Sequence, residues 1–280
     1  MVRWLVLGLL AAGLVMPVGA AMVVVSEGDG QVSKQYFESG EFLQMRNDSP
    51  AMGVDRQGTC WFVEHRRVVS DPCEQMLQSM DAMRERMMES LSEEDRSMMQ
   101  RALEMQRTAP AATVTNLGQR RIAGYSVECH RIGDSHEICT SAKLLQEVEA
   151  EMGDSRFIEL FRQFGRSAGE MGGETPESKA VADLTGRGFP MLDMQKVPAM
   201  PGLDPAVLQY MPEAQRAQIM SRLGNATGGT KMHGTKVTSV VKEIPMPELD
   251  LSRYPRVDFA RYLQQNMGQS GGIPGSWTGQ

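Results

Sequence analysis

No long run of lysine or arginine occurs in this chain, whose 29 basic residues are outnumbered by 35 acidic ones for a formal charge of −6. A nucleic-acid role needs a concentrated basic face to release phosphate counterions, and this balance argues against one. There is no Cys-x-x-Cys motif among its 4 cysteines, which argues against a thiol oxidoreductase. The glycines near "GDGQ" lack the third glycine and the strand–helix setting of a dinucleotide fingerprint. No paired carboxylates stand out as general acid and base, and no internal repeat is visible. Aromatic residues are few, at 6%. What the chain has in excess is methionine, 23 residues in 280.

The N-terminal "MVRWLVLGLLAAGLVMPVGA" has one charge, Arg3, then an apolar run from Trp4 to Met16, with Pro17 breaking it. Small residues follow, so the stretch predicts a signal peptide over residues 1–20, cleaved after Ala20, and a periplasmic location. The competing reading is an uncleaved anchor, since no charge occurs from Trp4 through Ser26. Export places the cysteines in an oxidising compartment, where an even count is read first as two disulfides.

The stretch "GQRRIAGYSVECHRIGDSHEIC" tests that reading. With Gly133-Asp134-Ser135 as a three-residue hairpin loop, Ile132 opposes His136 and Cys129 opposes Cys139. Opposed residues lie within disulfide reach. Strand alternation turns His130 and His136 to the other face, so four ligands cannot converge on a zinc ion. A stapled hairpin is expected, with Cys60 and Cys73 as the second bridge and no metal or other cofactor.

Strand runs with turn punctuation are expected from residue 22 to 70: "MVVVSE", "QVSKQYFE", "GEFLQMRN", "MGVDRQG" and "CWFVEHRRVVS". At "DPCE" the period changes, with Asp71 as N-cap and Pro72 in the first helical position. Met76, Met80, Met83 and Met87 recur at helical spacing. Ser92 with Asp95 restarts a second helix carrying Met98 and Leu103, and Pro110 ends the hairpin, set at residues 72–107. Strands resume with "ATVTNLGQ" and the cysteine hairpin. "DSRFIELFRQFG" reads as a helix, residues 165–185 as a Gly/Ser-rich loop, "GFPMLDMQ" as a strand, "PEAQRAQIMSRLG" as a helix and "GTKVTSVVKEI" as a strand. Residues 266–280 read as a disordered tail. Gly165-Arg166-Ser167-Ala168-Gly169 matches a nucleophile elbow, but a helix precedes it where a strand is required, so the chain is read as no enzyme.

"GQRRIAGYSVECHRI", "GFPM" and "TKVTSVVKEI…LDLSRYP" resemble an uncharacterised family of exported bacterial proteins. That family is similar in fold to the periplasmic lipoprotein carrier and its outer-membrane receptor. The resemblance spans about residues 22–262 and implies an antiparallel half-barrel with helices plugging its concave apolar face. No lipoprotein-binding arginine motif is matched, and the cysteine pattern and Met-rich insert depart from the family.

Read from the residues, the class is α+β: strands with one apolar face over residues 21–265, covered by striped helices. The expected function is a non-enzymatic periplasmic binding or chaperone-like module for a lipid, lipopeptide or apolar peptide. Its expected lining is Met76, Met80, Met83, Met87, Leu91, Met98 and Leu103, methionine being an adaptable apolar surface. The rivals are an accessory of a cell-envelope complex with a protein partner, and a Cu(I)-binding protein using the thioethers.

Overall fold

The fold is taken from a computed structural model, which describes residues 21–153, 159, 163, 175–198 and 230–266. The expected signal peptide, the helices over "DSRFIELFRQFG" and "PEAQRAQIMSRLG", the Gly-x-Ser-x-Gly match and the tail beyond residue 266 lie outside the described residues, apart from residues 159 and 163.

The first six strands are β1 (Ala21–Gly28), β2 (Gln31–Glu38), β3 (Glu41–Arg46), β4 (Ser49–Val54), β5 (Thr59–Glu64) and β6 (Arg67–Pro72), each paired antiparallel to the next. A second meander holds β7 (Val114–Ile122), β8 (Tyr125–Ile132), β9 (His136–Ser141), β10 (Phe189–Pro198) and β11 (Thr230–Ile244). Antiparallel pairing of β1 with β11 fuses the two, and β12 (Arg256–Val257) lies parallel to β6. The result is one open sheet in the order β12-β6-β5-β4-β3-β2-β1-β11-β10-β9-β8-β7. The structure is thus α+β, with a large and almost wholly antiparallel sheet.

Turn chemistry builds the meanders. Asp29-Gly30, Asn47-Asp48 and Ala123-Gly124 place both central residues at positive φ, which matches the right-handed twist of the flanking strands. His65 (φ 47°) and Arg66 (φ 60°) do the same without glycine. The run "CWFVEHRRVVS", expected as a single strand, is therefore a hairpin of β5 and β6.

Helices α1 (Cys73–Ser90) and α2 (Glu93–Thr108) follow one another where two helices were expected. Ser92 Oγ accepts from Asp95 N at 3.1 Å and donates to the Asp95 carboxylate at 2.6 Å, a local cap for α2. Asp71 does not cap α1, because β6 runs on through Pro72 and keeps Asp71 opposite Cys60. Its carboxylate instead accepts from Phe259 N at 2.7 Å, at the start of α5 (Phe259–Asn266). Two further helices correct the sequence reading. α3 (Ala142–Met152) follows β9 directly and was not expected. α4 (Pro176–Thr185) occupies ground expected as loop, with Thr175 capping Ser178 N and Pro176 opening the helix.

Strand alternation gives the sheet two faces. The front face carries the main core, in which Met22, Phe37, Phe42, Phe62, Val127 and the four cysteines meet α1, α3 and α5. On the back face, Ala21, Val23, Tyr36 and Leu43 are covered by Met246 and Leu249 from the segment that follows β11. Ile132 and Ile138 meet Leu184 of α4, also on the back.

Candidate functional site

Two disulfides frame the front face. Cys129 lies directly opposite Cys139 with Cα atoms 4.0 Å apart, and Ile132 lies opposite His136, as the three-residue loop requires. Cys60 bonds Cys73, so a core strand is tied to the first residue of α1. The histidines turn away as expected: His136 Nε2 sits 2.6 Å from Asp193 Oδ1, and His130 Nε2 3.5 Å from Glu128 Oε1. Among the described residues no three His, Cys, Asp or Glu side chains come together as a metal site. His233, the one histidine downstream of the Gly-x-Ser-x-Gly match, is spent on Asp29 at 3.1 Å.

The methionine stripe divides. Met76 and Met80 are buried in the front core, and Met83 packs against it half-buried. Leu91 is half-buried at the corner of the hairpin, while the Met87 and Leu103 side chains lie outside the described residues. On α2, Met98 is 51% exposed and Met105 68% exposed. At the corner, the Arg96 guanidinium donates to the carbonyls of Met88, Glu89 and Leu91 at 3.2–3.4 Å. Those carbonyls belong to the C-terminal end of α1, which lacks intrahelical donors.

The element that does fill the face is α3. Leu144, Val148 and Met152 recur every four residues and are all buried. Ser141 caps the start, and Gly153, at φ 65°, accommodates the left-handed end. The helix packs against β2, β1, β10 and β8. A charged group anchors it. Glu147 accepts from Tyr125 OH at 2.6 Å and from Lys242 Nζ at 3.0 Å, with Lys143 Nζ 3.8 Å from its other oxygen. Burial, reinforced by the bond to the Glu147 carboxylate, pushes the Tyr125 hydroxyl up to about 12. The same Tyr125 bond, with the two lysines, holds Glu147 below the usual carboxylate range.

Along β2 and β3 the front face changes character. Phe37 and Phe42 lie at one end, then Gln35 and Gln44, then Ser33 and Arg46. Gln44 Nε2 donates to Ser33 Oγ at 3.0 Å, and burial lowers the Arg46 guanidinium. Half-buried Met52 stands opposite Phe62 in the next strands. Glu64, further along β5, is raised by burial and accepts a hydrogen bond from Tyr262 of α5. Beside the helices, then, the face is a bed of methionine and aromatic carbon, and its far end carries amides, hydroxyls and a guanidinium.

Of the residues expected to line a ligand, Met76 and Met80 lie in the front core and Met83 lies against it, while α3 and the polar end were not anticipated from the sequence. The signals existed: Ser141 three residues before Leu144, followed by apolar residues at intervals of four, and alternation that carries Gln35, Gln44 and Arg46 onto the same side as Phe37 and Phe42. The chain matches no protein-family model, and a search of the curated proteins finds no match.

Proposed function

We propose that this protein is a non-enzymatic binding module of the periplasm that holds an amphipathic ligand, a lipid or lipopeptide, on the front face of a half-barrel sheet. One observation carries the reading: a single face passes from a Met/Phe bed under helices to a Ser/Gln/Arg end. An acyl chain would lie along the half-buried methionines beside that bed, Met52 and Met83, and its polar head would meet the hydrogen-bonding groups of the second part.

Curvature of the sheet supports it. An 11-residue helix is about 16 Å long, whereas β2 and β8 stand five strand spacings apart, about 24 Å across a flat sheet. α3 nonetheless packs against both. Likewise the Phe37 ring on β2 and the Phe189 ring on β10 are 6.2 Å apart although two strands separate β2 from β10. A sheet folded around α3 accounts for both. Two buried cystines fit an oxidising compartment, and no described helix is long and apolar enough to cross a membrane.

Native mass spectrometry of protein purified gently from the periplasm, then titrated with a lysophospholipid, tests the proposal. Lipid-sized adducts in stoichiometric amount are expected. A clean apo mass with no uptake would overturn it. The exposed Met98 and Met105 favour a second role for α2, contact with a protein of the cell envelope.

A further inference from the structure

The two sides of the sheet end differently. At β6 the edge is finished: β12 lies against it, Val68 N donates to Pro255 O at 3.0 Å, and α5 follows. Among the described residues β7 has no such cover and no strand lies beyond it. Seven of its nine residues are exposed, all but Leu117 and Ile122. Every second residue of an antiparallel edge aims its N–H and C=O away from the neighbouring strand, which makes a template for another chain.

Proteins commonly blunt such an edge with bulges and charge, and β7 uses both in one half only. Gly118, at φ 85°, marks a register shift opposite Cys129, and Arg120 and Arg121 follow. The other half, Val114 to Leu117, is uncharged and begins with two β-branched residues, Val114 being 44% exposed. Charge is equally uneven. From residue 105 to 127 there is no Asp or Glu, in a chain with 35 of them, while Arg107, Arg120 and Arg121 fall inside that stretch. Arg120 is held by Glu137 at 2.7 Å on the front side, and Arg121 is exposed opposite Ser126.

We propose that β7 is a docking edge for an extended acidic segment of a partner protein, added as a further strand with a carboxylate against Arg121. Backbone bonds along Val114 to Leu117 supply affinity and the arginine selects the sequence. A second copy of this chain fits less well, because it would lay one basic strand beside another. The inference is independent of any ligand on the front face.

Three labelled octapeptides test it on the full chain: one alternating valine with glutamate, its lysine counterpart, and the glutamate peptide N-methylated at alternate amides. The glutamate peptide is expected to bind saturably, at least tenfold tighter than either control, and to slow hydrogen exchange within residues 114–122. Arg121→Glu, at an exposed position, should weaken it about tenfold with the melting temperature unchanged, and Val114→Pro should weaken it through the backbone, because Thr113 O accepts from Gly133 N and the next residue, Val114, therefore turns its N–H away from β8. Equal binding of the glutamate and lysine peptides, protection elsewhere than β7, or protection arising from self-association without peptide would each overturn the proposal.

Discussion

Removing each disulfide in turn, as Cys60→Ala with Cys73→Ala and as Cys129→Ala with Cys139→Ala, measures how this chain uses its cross-links. The bridged residues are 13 and 10 apart in sequence. Loop-closure entropy then assigns the bonds about 2.9 and about 2.7 kcal/mol at room temperature. The two values are close because the dependence on loop length is logarithmic. All four cysteines are buried in the front core, so each alanine pair also leaves a void that adds to the loss. Against a typical total of about 5–15 kcal/mol, either variant should fold and the quadruple variant should stand near the threshold. Urea unfolding followed by circular dichroism gives both the stability and the slope. Each pair should lose roughly 3–4 kcal/mol, and the slope should rise because the uncrosslinked unfolded chain exposes more surface. A loss below about 1 kcal/mol for either pair, or one pair costing more than three times the other, would refute the entropic reasoning.

Other expectations follow from single side chains. Leu144→Ala removes a fully buried side chain from α3 and should cost about 2–5 kcal/mol in the same urea assay. Gly53→Ala places a Cβ 2.5 Å from Trp61 Cζ2 and 2.7 Å from Phe42 O, an overlap expected to cost about 1–3 kcal/mol. In an ultraviolet titration Tyr125 should ionise near 12, and Glu147→Gln should bring it part of the way back toward the ordinary tyrosine value of 10.0, burial remaining. Because Tyr125 is raised on folding, its contribution is complete below 10 and disappears as pH climbs through about 12. Glu147 is lowered, so its contribution is present above the ordinary carboxylate value of 4.5 and disappears as pH falls through its folded value. Tyr125→Phe should flatten the alkaline limb, and an unchanged alkaline limb would count against the Tyr125–Glu147 anchor.

What could be read from sequence was what local chemistry decides alone. The β1–β2 turn announces itself through Asp29-Gly30, and the β8–β9 register follows from a three-residue loop that also pairs Cys129 with Cys139. The β5–β6 turn gave no such signal, since His65 and Arg66 adopt positive φ only because the strands on both sides demand it. α3 was hidden because β9 passes straight into it, Ser141 ending the strand and Ala142 beginning the helix with no glycine or proline to mark the change. α4 was masked by the Gly/Ser-rich residues before it, although Thr175, Pro176 and Glu177 form a strong start. For α2 the periodic methionines were seen correctly, but periodicity states which residues share a stripe and not what lies opposite. Arg96 donates to three carbonyls at the end of α1, and Met98, two residues on, is half in water. The polar end of the front face lay within reach of the sequence, because β2 and β3 are consecutive strands and alternation alone puts Gln35, Gln44 and Arg46 on the side of Phe37 and Phe42.

The central claim, that the front face is the binding surface, is tested most directly by a photoreactive benzophenone side chain placed at Met52. Met52 is half-buried opposite Phe62 on that face, and Lys34, on the back of β2, serves as the control position. After irradiation in intact cells, mass spectrometry should find a lipid or lipopeptide attached at position 52 and nothing comparable at position 34. No adduct at 52, or equal adducts at both positions, would contradict the account.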